Sequence, residues 1–481
     1  LKGVSTVKVL SSLRVPLYME KSFFMERKGE ERRGKIMLEK LFHLKENKTS
    51  VRTELIAGLT TFLAMAYILG VNPSVLGDAG MDVSSVFLAT ALSAAVASVI
   101  MGLLANYPVA LAAGMGVNAL FAYTVCGQMG YSWSAALAGV FISGVIFILI
   151  SVTGVRKMII NAIPVQMKLA IGAGIGFFIA FVGLKNAGIV VANESTFVAI
   201  GNFSDPTVLL ALFGILITLL LVIRKVPAAV FVGMVITALI GIVAGTVFHI
   251  EGMPSLPDGS FITTNFHMEG TGAFMNGFGE LFADPAKSLV MIFSFLFVDF
   301  FDTAGTLVAI GSKIGLVNPQ TGELKNAERA LLADAIGTVF GAAVGTSTVT
   351  SFVESSSGVG VGGRTGLTAV TTGVLFLLSI LISPLILSAV TNAVTAPALV
   401  VVGVMMAQQL KSIDWEDMMI AAAAFVTIIV MVLGYSISNG IAFGFIVYTI
   451  GMIGAGKTKD IHPTVWVLDV IFLIYFWVTF A

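Results

Sequence analysis

From residue 54 to residue 454 the chain is a near-unbroken succession of apolar stretches, each about long enough to cross a bilayer and bounded by charges, Pro or Gly. A bilayer leaves few options, because backbone N–H and C=O groups in lipid must be satisfied internally. Helices of about 20 residues are the simplest solution. Charged residues make up 11% of the chain and hydrophobic residues 57%, against about 25% charged in a soluble domain. The chain therefore reads as an all-α polytopic membrane protein. The stretches fall near 54–76, 83–105, 109–125, 133–154, 166–187, 206–223, 226–248, 287–312, 328–345, 346–358, 366–383, 384–410, 417–434 and 436–454. The third and tenth are short, rich in Gly or Ser, and the poorest helices of the set.

Charge sets the orientation. Arg156, Lys157, Lys168, Arg224, Lys225, Lys313, Lys325, Arg329, Arg364, Lys411, Lys457 and Lys459 fall on even-numbered connections. Asp78, Asp82, Glu194, Asp205 and the acidic 249–286 loop fall on odd ones, with Lys185 and Lys287 as exceptions at span edges. Both termini are expected in the cytoplasm, and the protein in the cell membrane. Basic and acidic residues cancel at 27 each, so net charge points to no partner, and no nucleic acid is expected. The single cysteine, Cys126, excludes a disulfide framework and a Cys-based zinc site, and the four histidines lie in tails or loops. Residues 1–45 form a charged tail without a signal-like apolar run, and Met37 reads as a plausible start. The apolar 465–481 tail, interrupted by Asp469, is expected to lie along the membrane surface, with packing on the bundle as the alternative.

Three weak self-similarities occur in one order. TTFLAMAYIL (60–69) matches FSFLFVDFFD (293–302), and FLATALSAAVAS (87–98) matches LLADAIGTVFGA (331–342). The short segments PVALAAGMGVNAL (108–120) and TVTSFVESSSGVG (348–360) follow. Seven spans per half is odd, so the halves would be inverted, as in many secondary transporters. In such folds a matching pair of short, interrupted segments points to the binding site.

The polar residues inside the spans are few. Asp299 and Asp302 share a helix face near mid-span, and no Lys or Arg lies within ten residues of either. A carboxylate at mid-bilayer costs about 2.5–3.5 kcal/mol, and two one turn apart should not both be ionised. They are candidate proton carriers, the alternative being structural pegs on broken-helix amides. Glu354 sits among Ser and Thr, with Gly following, in TSTVTSFVESSSGVGVGG (346–363). An irregular backbone there is tolerable only beside protein or a cavity, and a buried Glu accepts from N–H groups, which suits a planar N-heterocycle. Asn118 holds the matching place in the first half, beside Gly116. Ser355 and Thr303 adjoin the acids as possible donors. Asp334, about one turn after Arg329, reads as structural near the cytoplasmic interface. Tyr67, Phe300 and Phe301 are weaker candidates for stacking on a ring. GVGVGG (358–363) lacks the Lys-Ser/Thr of a phosphate loop.

ELIAGLTTFLAMAYILGVNPSVL (54–76), PVALAAGMGVNALFAY (108–123), FVDFFDTAGTLVAIG (297–311) and TSTVTSFVESSSGVGVGGRTGLTAV (346–370) together resemble the azaguanine-type purine permeases, a branch of the nucleobase–cation symporters, over residues 37–460. The resemblance implies fourteen spans as two inverted seven-span repeats, with short extended stretches in spans 3 and 10. It implies a core domain (46–154 and 287–383), a gate domain (155–248 and 384–456) and an extracellular loop (249–286). It further implies import of adenine, guanine or hypoxanthine, usually with a proton, no cofactor, and a possible homodimer through the gate. By position, Asp299 and Glu354 look like the family's purine-binding acids, Asp302 like the acid required for transport, and Asn118 like the third-span polar residue. The expected chemistry is proton-coupled purine uptake, with backbone amides of 115–118 and 355–358 completing the shell. Other substrates of the same architecture (xanthine, uracil or an anion) are the alternative. An intramembrane aspartyl protease is the remote one, since its Gly-x-Gly-Asp loop is missing.

Overall fold

The computed structural model describes residues 36–153, 164–263, 266–317 and 324–480. The tail to residue 35 and the basic residues Arg156 and Lys157 lie outside these ranges. In chain order the helices begin with α1 (Val51–Met65), α2 (Ile68–Gly77) and α3 (Val83–Leu104). Strand β1 (Leu111–Ala113), helix α4 (Met115–Ala119) and a π-helical stretch, Leu120–Gln128, follow. Then come α5 (Trp133–Thr153), α6 (Val165–Asn186), the hairpin β2 (Val190–Asn193) and β3 (Phe197–Ile200), α7 (Pro206–Ile223) and α8 (Ala229–Phe248). The second half holds α9 (Phe274–Ala283), α10 (Pro285–Lys313), α11 (Ala327–Val344), β4 (Val349–Ser351) and α12 (Ser355–Gly360). It closes with α13 (Gly366–Ser379), α14 (Ser383–Ala389), α15 (Asn392–Ala407), α16 (Met418–Leu433), α17 (Ile437–Gly454) and α18 (Pro463–Phe480).

Ten helical segments among the described residues are long and apolar enough to span a membrane. Of the other four expected stretches, α11 carries Glu328, Arg329 and Asp334, α16 is shorter, and two are broken by β1 and β4. Three aspartates at helix starts satisfy local backbone as well as biasing the charge balance. Asp82, Asp205 and Asp284 cap α3, α7 and α10 by accepting from Ser85, Thr207 and Lys287 N–H groups. At the exposed Asp205 those Thr207 hydrogen bonds hold the carboxyl below its ordinary range.

Three boundaries differ from the sequence expectation. The break expected at 383/384 lies at Val390–Thr391, because the chain runs on from α13 through a 3-10 turn, Ile380–Ile382, into α14. Pro384 restarts a helix rather than ending one, since the first turn needs no N–H from it. The 249–286 loop contains a helix, α9, whose Gly277 lies so close to Ser134 that a Cβ would sit 2.2 Å from its carbonyl oxygen. The C-terminal α18 packs on the bundle, burying Val465, Leu468, Phe472 and Tyr475. Asp469 accepts from Thr449 at 2.5 Å and Tyr475 donates to Asn439 at 2.5 Å, both on α17, so the interrupting acid is partnered by protein.

The helices sort into two packed groups. One comprises α6, α7, α8, α15, α16 and α17. The other is built on α1, α2, α3, α5, α11 and α13, and holds α10 and both broken segments.

Candidate functional site

The site begins where neither half can finish its own backbone. β1 and β4 are three residues each and pair antiparallel, with Leu111 opposite Ser351, Ala112 opposite Thr350 and Ala113 opposite Val349. The ladder runs on through Gly114 N–H to the Thr348 carbonyl (2.9 Å) and Phe352 N–H to the Ala110 carbonyl (3.0 Å). Gly114 is required here: a Cβ would lie 2.7 Å from the Thr350 side chain. Side chains close the outer edges. Ser98 on α3 both accepts from Leu111 N–H (2.9 Å) and donates to its carbonyl (3.1 Å). Thr338 on α11 donates to the Val349 carbonyl (3.0 Å), and Ser355 accepts from Ala110 N–H (3.0 Å). Every strand group so engaged is satisfied without water, as lipid depth demands.

Helix α10 presents its acids to this pair from one side. Asp299, fully buried, accepts from Thr338 at 3.2 Å. Asp302 lies within electrostatic reach of Thr350, Glu354 and Tyr67. Thr303, one turn after Asp299, bonds the same helix α11 and the strand: it donates to Asp334 (2.7 Å) and accepts from Ser351 N–H (3.2 Å). Glu354, buried at the start of α12, accepts from the Tyr67 hydroxyl at 2.5 Å. Tyr67 sits at the α1–α2 junction with its ring 6.4 Å from that of Phe352. Glu354 and Tyr67 thus form a buried polar pair, with the half-buried Asp302 beside it.

Asn118 is buried on α4. Its side-chain carbonyl accepts from Ser347, while its amide NH2 has no hydrogen-bond partner. It lines a small cavity of about 10 Å³, on the scale of one water, with Val71, Val75, Met115, Ile179, Val182 and Leu399. A buried donor without an acceptor is costly and marks a place where a ligand is useful. Gly116 is buried beside Ile175 and Ile437.

Two expectations change. The amides of Ser355, Ser356 and Ser357 bond the carbonyls of Phe352, Val353 and Glu354, and Asn118 N–H bonds Gly114, so these amides are engaged within their own turns. Asp334 lies fully buried, where it accepts from Thr303 and from Ser351 (3.1 Å), rather than at an interface. Gly358 and Gly363 serve close packing: a Cβ on Gly358 would lie 2.2 Å from the Thr61 hydroxyl, and one on Gly363 2.8 Å from the Ala57 side chain. Sequence reasoning missed Asn72, which donates to Thr90 (2.7 Å) and Thr346 (2.8 Å), and Glu54, whose carboxylate accepts from Arg364, Thr365 and Thr368 N–H groups at the start of α13. Both stand out as polar residues in apolar runs; their partners, from 18 to 314 residues away, do not. No group of three or more His, Cys, Asp or Glu able to hold a metal occurs among the described residues.

Residues 52–443 match the sequence model of a family described as the permease family. The chain is 49% identical over 446 residues to the guanine/hypoxanthine permease PbuG of Bacillus subtilis, covering 90% of this chain and 98% of that one. It is 44% identical over 441 residues to the adenine permease AdeP of Escherichia coli, covering 92% and 96%. Its fold resembles the transmembrane domain of the cyanobacterial bicarbonate transporter BicA, with TM-score 0.58 and 16% identity over 82% of this chain and 96% of that one. It also resembles SLC26A9, with TM-score 0.57 and 12% identity over 89% and 71%. At such identities the likeness is one of fold.

Proposed function

The chain belongs to the permease family of purine nucleobase transporters, and from that premise we propose that it imports guanine, hypoxanthine or adenine together with a proton by alternating access. It is a multi-pass membrane transporter and not an enzyme. The observation that carries the reading is the buried Glu354–Tyr67 pair, with the half-buried Asp302 beside it, against two strands drawn from different halves of the chain.

Purine ring N–H groups take the place of the Tyr67 hydroxyl as donors to Glu354. The Asn118 amide NH2 donates to a ring nitrogen or carbonyl of the base, which explains its lack of a partner. Asp299 contacts the base from α10, and Ser355, Thr303 and Gly116 shape the site. Thr303 does so by holding β4 through Ser351 and Asp334. The proton resides on Asp302 or Asp299. With Asp302 neutral, Glu354 can stay ionised in a poorly hydrated place, and loss of that buried charge lets one helix group move against the other. The plan of two inverted repeats is supported by the antiparallel meeting of β1 and β4. Both termini are assigned to the cytoplasmic side of the cell membrane by the placement of basic residues, and the gate helices offer the face for a homodimer.

Uptake of radiolabelled hypoxanthine driven by a pH gradient is the direct test. Glu354→Ala, present in the membrane at wild-type level, is expected to lose uptake; wild-type uptake in that variant sinks the assignment. Asp302→Asn is expected to keep base binding but lose the response to the gradient. Competition by a panel of bases, but not by bicarbonate, separates this reading from that of an anion carrier on the same fold.

A further inference from the structure

The positive-inside pattern leaves Lys185 unexplained at the acidic end of the bundle, and the structure surrounds it. Lys185, at the end of α6, holds its ammonium 5.3 Å from the Tyr123 ring centre and 5.0 Å from that of Tyr435, and donates to the Tyr435 hydroxyl at 3.4 Å. The two rings lie 5.2 Å apart, and Phe178 and Phe181 pack their edges on Tyr435. Next to Lys185, Asn186 donates to the Tyr123 hydroxyl (3.1 Å), which donates in turn to Asp78 (2.8 Å). Gln128 reaches the carbonyls of Gly434 and Tyr435 at 3.3 and 3.4 Å.

These partners divide cleanly between the two helix groups. Asp78, Tyr123 and Gln128 follow α2 and α4, whereas Lys185, Asn186 and Tyr435 belong to α6 and the α16–α17 link. Tyr123 lies on the π-helical stretch, a wide turn often found at functional sites. Tyr435 stands in left-handed backbone, φ +49°, a cost that a non-glycine residue accepts only where its surroundings hold it.

The same three segments line the cavity at Asn118 one to two helical turns deeper. Val71 and Val75 precede Asp78, Ala119 precedes Tyr123, and Ile179 and Val182 precede Lys185. The cluster therefore lies beyond an apolar plug that shares this cavity with Asn118. We infer that Asp78, Tyr123 and Gln128 on one side, with Lys185, Asn186 and Tyr435 on the other, form the outer gate of the transport path, joined in this conformation and parted when the site opens outward. The inference rests on the alternating-access reading above, and it assigns gating residues that do not touch the base while bound. The contacts between the two sides are individually weak: three hydrogen bonds of 3.1–3.4 Å, the Lys185–Tyr123 cation–π contact and the tilted Tyr123–Tyr435 ring pair. A gate that must open in each cycle needs that property.

The test reads accessibility rather than uptake. In a Cys126→Ser background, Val75→Cys or Val182→Cys places a thiol in the plug, and right-side-out vesicles are treated with a membrane-impermeant maleimide. Slow labelling is expected in the gate-intact chain. Tyr123→Ala combined with Lys185→Ala should raise the rate about tenfold, by shifting the population toward the open form. Tyr123→Phe, which keeps the ring and loses both hydrogen bonds, guards against misfolding and should give an intermediate rate. Fast labelling in the intact chain, or equal rates in all three, overturns the gate. If the unaltered chain takes up no purine, the transport reading falls while the labelling result stands.

Discussion

One oxygen of Asp334 collects two hydroxyls, Thr303 from α10 and Ser351 from β4, in a place with no solvent exposure. That makes it a fastener between the helix that bears Asp299 and Asp302 and the strand that precedes Glu354. Removing an acceptor strands its donors, at about 1–3 kcal/mol for each buried group left unsatisfied. Asp334→Ala should lower the unfolding midpoint in detergent clearly, and Asp334→Asn, which keeps one carbonyl oxygen, should lower it less. Equal midpoints for both variants and the parent would remove Asp334 from this role. In the sequence Arg329 is the neighbour on offer, because only neighbours along a helix are readable from one chain. Thr303 and Ser351, 31 and 17 residues away, are joined to it by the fold alone. The acids themselves were legible for the opposite reason: in an apolar run a carboxylate is costly wherever it ends up.

At the scale of elements, small residues decide which helices touch. A Cβ on Gly102 of α3 would lie 2.4 Å from the Gly366 carbonyl at the start of α13, and one on Gly366 would lie 2.0 Å from the Gly102 carbonyl. Backbone meets backbone there, as small residues permit between membrane helices. Gly102→Val should therefore separate α3 from α13, lowering both the yield of folded protein and the unfolding temperature. Gly360→Ala, where an added Cβ meets nothing within 4 Å, should cost far less. A valine tolerated at Gly102 would show that the close approach is not needed. Long helices were readable because twenty apolar residues in lipid have one solution. Composition made the strands readable only as weak helices, since three residues carry no periodicity, and it was the family resemblance that called for extended stretches there. Helix α9 was missed because its ten residues, although amphipathic, sit inside a long acidic loop and are too few to stand as a helix without packing on α5.

The whole molecule is closed by α18, which bridges the two helix groups. Phe472 meets Phe293 and Phe297 of α10 at 6.0 and 5.8 Å, and Phe445 of α17 at 5.7 Å. Ending the chain after Ile461 should lower the unfolding midpoint by several degrees, because it removes these ring contacts and the partners of Thr449 and Asn439 together. Tyr475→Phe, losing one hydrogen bond, should have a smaller effect; a truncated chain as stable as the full one would make α18 an accessory. The tail was ambiguous in sequence because an apolar helix with one acid suits a lipid surface and a protein groove equally well.

The strand pair has a reach beyond the site. Each half of the chain inserts one strand whose inner edge is completed by the strand of the other half, while a hydroxyl of its own half closes the outer edge, so neither half alone has a finished backbone at that depth. A half-length chain would enter the bilayer carrying bare amides and would seek a partner that supplies the missing edge. The obligation is mutual, so a change in either strand is judged by the other. A substitution that unpairs either strand therefore leaves both halves with an open edge, even though one polypeptide carries both.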